Sequence, residues 1–288
     1  MRIVDDVREL DPADRAVAIG TFDGVHRGHR RVLEAAAGSG LRSAVLTFHP
    51  HPRAVLGNRV ELLTTLERRL ELIGSAGLDD AVVIEFTEEL AATPPDVFVD
   101  RVLRPLGARR VVAGEDFRFG HRRAGDLELL EALGLEVERV PLLAGVSSSA
   151  IRGDLRSGDV RAAADLLGRP AEVEGLVVSG DARGGTLGFP TANLRPDSEL
   201  LVPAHGIYAG AARGHRAAVS IGTNPHYGGS ERRIEAFLLD FEGDLYGRRL
   251  VVELWERLRA EQAFASEDEL VAQIGRDVEA TRRAERPI

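Results

Sequence analysis

The sequence predicts a protein of two domains, an α/β domain with a parallel sheet followed by a smaller all-β domain that ends in a helix. Two observations predict this fold class. Up to Leu167, apolar strand-like runs alternate with helical patterns, whereas residues 171 to about 254 contain short β-like runs separated by glycine turns. The first pattern favours a parallel sheet covered by helices, and the second favours a barrel or a sandwich. The pattern changes at Gly168-Arg-Pro170, so we place the domains at residues 1–168 and 169–288.

The first domain shows apolar runs for its strands and capping signals for its helices. Thr64-Thr-Leu-Glu67 resembles a capping box, and Pro94 and Pro95 suit the first turn of a helix through residue 103. The predicted strands are residues 16–19, 44–48, 81–86, 110–113 and 135–140, and further helices are expected at 30–37, 150–155 and 159–167. Ligands of such folds bind beyond the carboxyl ends of the parallel strands, which is where we expect a site.

The second domain is built from runs of alternating or continuous apolar residues. Its predicted strands are residues 173–178, 206–209, 217–221, 233–239 and 250–254, and a helix is expected from Ser266 onward. The chain contains no internal repeat and no long low-complexity linker.

Composition excludes several classes of function. The net charge of −9 argues against broad nucleic-acid binding, and the absence of cysteine excludes disulfides, thiol catalysis and cysteine-ligated metals. Lysine is also absent, which excludes Schiff-base chemistry on a lysine side chain. The N-terminus lacks the apolar core of a signal peptide, and no run approaches transmembrane length. We expect a cytoplasmic protein with small-molecule substrates and no nucleic-acid or membrane partner. The sequence indicates neither an oligomeric state nor a protein partner.

The most informative segment is Gly20-Thr-Phe-Asp-Gly-Val-His-Arg-Gly-His29, which follows a predicted strand and leads into a helix. It places two histidines, His26 and His29, near a helix N-terminus, where backbone N–H groups favour an anion and imidazoles can donate to phosphate oxygens or become cationic. A plain scaffold junction or a pair of metal ligands are the alternatives, but no nearby third ligand completes a metal set. We therefore interpret the segment as a nucleotide-phosphate site, with candidate contacts at Gly20, Phe22, Gly24 and Gly28.

Six further motifs occur in a fixed order. They are Thr47-Phe-His-Pro-His-Pro52, Gly114-Glu-Asp-Phe-Arg-Phe-Gly120, Val146-Ser-Ser-Ser-Ala-Ile-Arg152, Gly184-Gly-Thr-Leu-Gly-Phe-Pro-Thr-Ala-Asn193, Ser220-Ile-Gly-Thr-Asn-Pro225 and Asp244-Leu-Tyr-Gly247. With the first segment, this set resembles the bacterial bifunctional riboflavin kinase/FAD synthetases over nearly the whole chain. The resemblance implies a Rossmann-like nucleotidyltransferase domain that adenylylates FMN, followed by an antiparallel β-barrel kinase domain that phosphorylates riboflavin. It also implies ATP and Mg²⁺ as co-substrate and cofactor, with riboflavin, FMN and FAD as substrates or products.

The resemblance assigns roles in the first domain. His26 and His29 match the family's nucleotidyltransferase histidines, and Arg152 would neutralise the β- and γ-phosphates of ATP. Ser148 and Ser149 are candidate hydroxyl donors to the same phosphates, with helix N-capping as the alternative role. Asp116 is a candidate for the nucleotide or flavin-phosphate pocket, beside Phe117 and Phe119, which we assign to the core. His51 has a flavin- or phosphate-side role or simply packs a turn.

The kinase roles fall on three parts of the second domain. The backbone could approach ATP phosphates closely at Gly184, Gly185 and Gly188. Thr191 and Asn193 lie two residues apart, so in an extended segment both oxygen donors can face one Mg²⁺ ion. Glu235 shares its face with Phe237 and Leu239 by alternation, and is either an edge-strand solvent residue or, as the resemblance implies, the general base for a ribityl hydroxyl.

The chain also departs from the family pattern. His49 stands where Asp is frequent, Ser149 where Thr is usual, the Gly180-Asp-Ala-Arg183 stretch is looser than the usual form, and His226 replaces a small hydroxyl residue. Two other functions stay open at this point. One is a nucleotidyltransferase for another phosphorylated substrate with the barrel as a binding domain, and the other is a non-catalytic flavin-binding or regulatory protein.

Overall fold

The computed structural model describes residues 1–179, 189, 191–223 and 232–288, with only the backbone of Arg232. The chain divides into two compact units, Met1–Ser147 and Ser148–Ile288. Residues 148–167 therefore pack within the second compact unit. The domain boundary at residue 168, drawn from the change in sequence pattern, stays a prediction.

The first unit is a six-stranded parallel sheet, which confirms the predicted α/β class. Its strands are β1 (Arg2–Val4), β2 (Arg15–Ile19), β3 (Arg42–His49), β4 (Asp80–Glu85), β5 (Ala108–Gly114) and β6 (Glu136–Val140), in the order β1-β4-β3-β2-β5-β6. Every neighbouring pair in this sheet is parallel. The sequence predicted β2 to β6 within a few residues but not β1, whose three residues are too few to show a period.

Helices cover this sheet. They are α1 (Arg27–Ala37), α2 (Pro52–Val55), α3 (Leu66–Gly74), α4 (Glu88–Ala91), α5 (Pro95–Phe98) and α6 (Leu127–Ala132), with a π-helical turn at Val99–Leu103 and 3₁₀ turns at Val7–Glu9 and His121–Arg123. The capping box predicted at Thr64 is wrong by one residue. Thr65 is the N-cap of α3 and its side chain accepts from Arg68 N, because the Thr64 hydroxyl accepts from Gly24 N instead.

The strand order positions the site. From β2 the chain builds outward through β3 and β4 on one side, and then crosses to β5 on the other side of β2. Crevices for ligands form where the direction of winding reverses, beyond the carboxyl ends of the strands. In this unit that place is beyond the ends of β2 and β5, where the segments containing His26 and Asp116 begin.

The second unit begins with α7 (Ser148–Ser157) and α8 (Val160–Leu167) and contains a closed barrel. Its strands are β7 (Ala171–Val178), β8 (Ala192–Arg195), β9 (Gly206–Ala212), β10 (His215–Thr223), β11 (Arg232–Leu238) and β12 (Arg249–Arg259), in the order β10-β11-β8-β7-β12-β9. All pairs are antiparallel. The barrel alternative is therefore confirmed over the sandwich, and the closing helix is α9 (Glu267–Arg283).

Ile234, Ala236, Val219, Ile221 and Leu194 are buried in the barrel. Residues that alternate with them on β8, β10 and β11 consequently face outward. No helix among the described residues combines the length and apolar character needed to cross a bilayer.

Candidate functional sites

The segment after β2 is a tight loop whose glycines are required by packing and backbone conformation. Phe22 and Val25 have φ of 50° and 41°, and Gly24 has φ of 83°. A Cβ atom on Gly24 would lie 2.6 Å from Leu63 Cδ1, and one on Gly20 would lie 3.1 Å from the Phe22 ring. These contacts explain Gly20 and Gly24 without a ligand. The phosphate contacts assigned to Gly20, Phe22, Gly24 and Gly28 stay predictions.

Asp23 anchors this loop to the segment before α3. The carboxylate is buried, and its Oδ1 accepts from Leu63 N at 2.9 Å, from Thr64 N at 3.2 Å and from the Thr64 hydroxyl at 3.4 Å. Thr64 Oγ1 in turn accepts from Gly24 N at 3.2 Å. These hydrogen bonds hold the loop in place, because the folded state is destabilised when a buried backbone N–H lacks an acceptor. Asp23 was not among the site residues predicted from the sequence.

The two histidines meet at the N-terminus of α1. His26 is its N-cap, and its Nδ1 accepts from His29 N at 3.2 Å, so any proton on a neutral His26 ring is on Nε2. The rings of His26 and His29 stack with centroids 3.5 Å apart, and Phe22 packs edge-on against His29. The sequence predicted this proximity.

Of the two states considered for these imidazoles, donation by the neutral ring or a cationic ring, the surroundings of His29 favour the neutral one. Burial lowers the pKa of His29 well below the ordinary histidine value, and the nearby His26 and Arg69 lower it further. His29 Nδ1 is buried and has no hydrogen-bond partner in the described part of the chain. His29 is therefore a neutral ring with a polar atom available for a ligand.

Arg69 on α3 is a further residue of this site that was not predicted from the sequence. Its side chain is 2% exposed, and Nη1 donates to the Thr21 carbonyl at 2.7 Å. Nε has no partner among the described residues. Burial lowers the pKa of Arg69, and Asp23 partly opposes that shift. Its position three and four residues before buried Leu72 and Ile73 was the available sequence signal.

Other predicted residues follow the carboxyl ends of the neighbouring strands. His51 is the N-cap of α2, where its Nδ1 accepts from Arg53 N at 3.1 Å. Asp116 is exposed after β5, and Phe119 lies in the core with Phe117 packed against it, which confirms the core assignment of both rings. Roles of His51 and Asp116 toward a flavin or nucleotide stay predictions.

Ser148, Ser149 and Arg152 lie in the first half of α7, in the second unit. Ser148 and Ser149 are the first two residues of this helix, where its backbone N–H groups are directed outward. The helix thus begins at Ser148, two residues before the predicted start at Ala150, and the phosphate roles of the three residues stay predictions.

The outer wall of the barrel brings Asn193 and Glu235 together. Glu235 on β11 is in register with Asn193 on β8 and with Ser220 on β10. Paired residues in antiparallel strands present their side chains on the same face about 5 Å apart. Because β11 lies between two other strands of a closed barrel, the edge-strand alternative for Glu235 is wrong.

The face around Glu235 is not the apolar one that alternation predicted. Arg233 shares this face and forms an ion pair with Glu235, and its Nη2 donates to Asn193 Oδ1 at 3.3 Å. Leu239, expected on the face, lies beyond the end of β11. Phe237 does lie beside Glu235 on the strand, and its ring packs edge-on against Phe189. Arg233 supplies the charge that lets a carboxylate sit at a half-buried position.

Several predicted residues lie outside the described residues. They are Gly184, Gly185 and Gly188 of the glycine cluster, the Gly180-Asp-Ala-Arg183 stretch, and His226. Thr191 is described and lies just before β8. Within the described ranges, no three histidine, aspartate or glutamate side chains are grouped so that they could hold a metal ion by themselves.

Comparison with known proteins defines the class. A family model described as FAD synthetase matches residues 9–150, and one described as riboflavin kinase matches residues 167–285. Together the fold and these matches define a transferase with two catalytic domains on one chain. The FAD synthetase match contains His26 and His29, and the riboflavin kinase match contains Asn193 and Glu235.

Whole-chain relatives then give the family. Bifunctional riboflavin kinase/FMN adenylyltransferases from Listeria monocytogenes and Bacillus subtilis are each 36% identical to this chain, over 95% and 93% of it and 93% and 91% of the relatives. The crystal structure of a macrolide-efflux protein from Streptococcus pneumoniae has a TM-score of 0.87 and 29% identity, over 98% of this chain and 99% of that one. The chain belongs to the bifunctional riboflavin kinase/FMN adenylyltransferase family.

Proposed function

We propose that this chain carries out the two reactions of its family at two sites, one built around His26 and His29 and the other around Asn193 and Glu235. The chain phosphorylates riboflavin to FMN with ATP, and it adenylylates FMN to FAD with release of pyrophosphate. The observation that carries the division is that the two family matches cover successive parts of the chain, each containing one of these residue groups.

In adenylylation, an FMN phosphate oxygen attacks the α-phosphorus of ATP, and the bond to pyrophosphate breaks. The protein must position the phosphates and stabilise charge on them, with little covalent chemistry of its own. The α1 N-terminus supplies backbone N–H groups, and the neutral His29 ring offers an unpartnered nitrogen next to the His26 ring. A neutral imidazole acts here as a hydrogen-bond donor. We propose Arg152 as the group that neutralises the β- and γ-phosphates.

In phosphorylation, a ribityl hydroxyl of riboflavin attacks the γ-phosphorus of ATP, and ADP leaves. We propose that Glu235 accepts the hydroxyl proton as general base. Arg233 holds the carboxylate and contacts Asn193 at the same time, so it orients both groups.

The oxygen donors of Thr191 and Asn193 fit a Mg²⁺ ion that is held mainly by phosphates and water. Mg²⁺ prefers oxygen ligands and is usually bound by few protein groups together with substrate phosphates, so a small donor set suffices. When bound, the ion would neutralise charge on the phosphate oxygens of ATP. The hydrogen bond from Arg233 to Asn193 Oδ1 would have to break for this oxygen to bind the ion.

The first test is a time course of riboflavin with ATP and Mg²⁺, with riboflavin, FMN and FAD separated by chromatography. We expect transient FMN followed by FAD. If flavin binds but neither FMN nor FAD forms, whether the reaction starts from riboflavin or from FMN, the enzymatic assignment fails in favour of a flavin-binding protein.

Paired variants then test the two sites. A His26→Ala/His29→Ala double variant should lose FAD formation and retain FMN formation, with the exposed His121→Ala as a matched control. Glu235→Gln should slow FMN formation by about 10²- to 10⁴-fold while FAD formation from supplied FMN is retained. Glu242→Gln, an exposed glutamate after β11, is its control. Wild-type FAD synthesis in the first variant, or wild-type kinase activity in the second, would refute the corresponding assignment.

A further inference from the structure

Arg69 is a buried cation whose position the two proposed catalytic mechanisms do not explain. Its guanidinium has no carboxylate within ion-pair distance in the described part of the chain, and its single side-chain hydrogen bond goes to the Thr21 carbonyl. Burying an arginine without a carboxylate is costly, so a structural role alone would be better served by an apolar side chain. The cost points to a function at the loop that Arg69 contacts.

The Thr21 carbonyl receives a second donor. The hydroxyl of Thr47 on β3, fully buried, donates to it at 3.3 Å, in addition to Arg69 Nη1 at 2.7 Å. Two donors from two different elements therefore hold this one carbonyl toward the protein interior. Both donors lie on rigid secondary structure, α3 and β3.

The direction of that carbonyl determines the direction of the next amide. In a trans peptide the C=O and the following N–H point in opposite directions, and the peptide between Thr21 and Phe22 is trans. The Phe22 N–H consequently points away from Arg69 and Thr47. Among the described residues it has no acceptor. An amide with this direction, in the loop whose Phe22 ring packs against His29, is a preorganised donor for an anion.

We propose that Arg69 is a positioning residue of the adenylylation site, which together with Thr47 holds the Thr21 carbonyl inward and so directs the Phe22 N–H toward the transferring phosphate. The inference rests on the proposed function of the His26 and His29 site. Arg69 is also one of the charges that keep the pKa of His29 low, so the same residue supports the neutral form of that ring.

The test compares Arg69→Met, Arg69→Lys and Thr47→Val in steady-state assays of FAD formation from FMN. FMN formation from riboflavin by the same chains is the internal control. Losing a hydrogen bond from a charged donor should reduce kcat for FAD formation about 10- to 100-fold in Arg69→Met, and losing the neutral one should reduce it about 2- to 10-fold in Thr47→Val. KM for ATP should stay within about twofold, because the donor acts on charge that develops in the transition state. Arg69→Lys, which can still donate to the carbonyl, should recover part of the rate.

A double-variant cycle distinguishes this role from general destabilisation. Because both donors act on one carbonyl, the effects of Arg69→Met and Thr47→Val should be non-additive. The neighbouring Arg68→Met, which removes a surface ion pair with Glu71, should leave both reactions unchanged. Wild-type kcat in Arg69→Met overturns the proposal. A raised KM for ATP at constant kcat also overturns it, since Arg69 would then bind ground-state phosphate.

If Arg69→Met does not fold, Thr47→Val alone decides, and a wild-type kcat in that variant overturns the proposal. Failure of the proposed function is distinguishable, because the wild-type chain itself would then form no FAD from FMN.

Discussion

Replacing Asp23 with alanine tests how far the loop after β2 depends on one buried carboxylate. The substitution removes the acceptor of two backbone N–H groups, those of Leu63 and Thr64, which lie 2.9 and 3.2 Å from Asp23 Oδ1. A buried donor left without an acceptor costs about 1–3 kcal/mol, so the buried Thr64 N–H and the half-buried Leu63 N–H together cost at most about 6 kcal/mol. This is a large share of the roughly 5–15 kcal/mol by which a domain is stable.

The chain offers an internal reference for this measurement. Its single tryptophan, Trp255, is buried in the second unit, so its fluorescence reports the barrel, whereas far-UV circular dichroism reports both units. In urea, Asp23→Ala should shift the circular-dichroism transition of the first unit and leave the Trp255 transition in place. FAD formation should fall before FMN formation does as urea is raised.

Asp23→Asn is the matched control, because its amide oxygen can still accept from Leu63 N and Thr64 N. It should cost clearly less than Asp23→Ala. If Asp23→Ala unfolds at the same urea concentration as the wild type, or if Asp23→Asn is equally destabilised, the hydrogen-bond accounting is refuted.

Two further predictions concern the same loop. Gly24→Ala should destabilise the first unit more than Gly40→Ala, since both glycines have positive φ (83° and 78°) but only at Gly24 would the new Cβ meet a side chain, Leu63 Cδ1 at 2.6 Å. At both positions the left-handed backbone conformation costs an alanine about 1–2 kcal/mol. If the two variants lost equal stability in thermal denaturation, the predicted steric clash at Gly24 would be contradicted. For His29, the lowered pKa means that the unfolded chain binds a proton below about pH 6.5 while the native ring does not, so stability should fall as the pH is lowered from 6.5. His29→Gln should show a weaker pH dependence of urea stability between pH 7 and 5, and an unchanged dependence would count against the burial of that ring.

Local patterns were sufficient for most of the elements, though not for the short strands β1 and β8, and for the order of the motifs. The buried strand β2, the turn after it and the start of α1 follow from residues adjacent in the chain, so the proximity of His26 and His29 was predictable. Thr64 and Thr65 show the limit of such patterns. Either threonine can cap a helix, and only the hydrogen bond of Thr64 with Gly24 N, 40 residues away, leaves Thr65 as the cap.

The barrel site depended on register, which no local pattern contains. Glu235 faces Asn193 because β11 pairs with β8 in this register. A shift of the strand register by one residue would turn Glu235 into the barrel interior, where Ile234 now lies. The sequence indicated each residue through its motif. Arg233 lies two residues from Glu235 and so shares its face by alternation, but its hydrogen bond to Asn193 depends on the pairing of β11 with β8, which no local pattern contains.

By itself, the sequence determined the two-domain organisation, the family motifs and the residue types available for phosphate chemistry, because these depend on composition and on short-range periodicity. Only the tertiary structure decided what distinguishes Arg68 from Arg69. The first lies at the surface in an ion pair with Glu71, and the second is buried against the Thr21 carbonyl. The physical reason is that burial and hydrogen-bond direction are set by the packing of α3 against a loop more than 40 residues earlier in the chain.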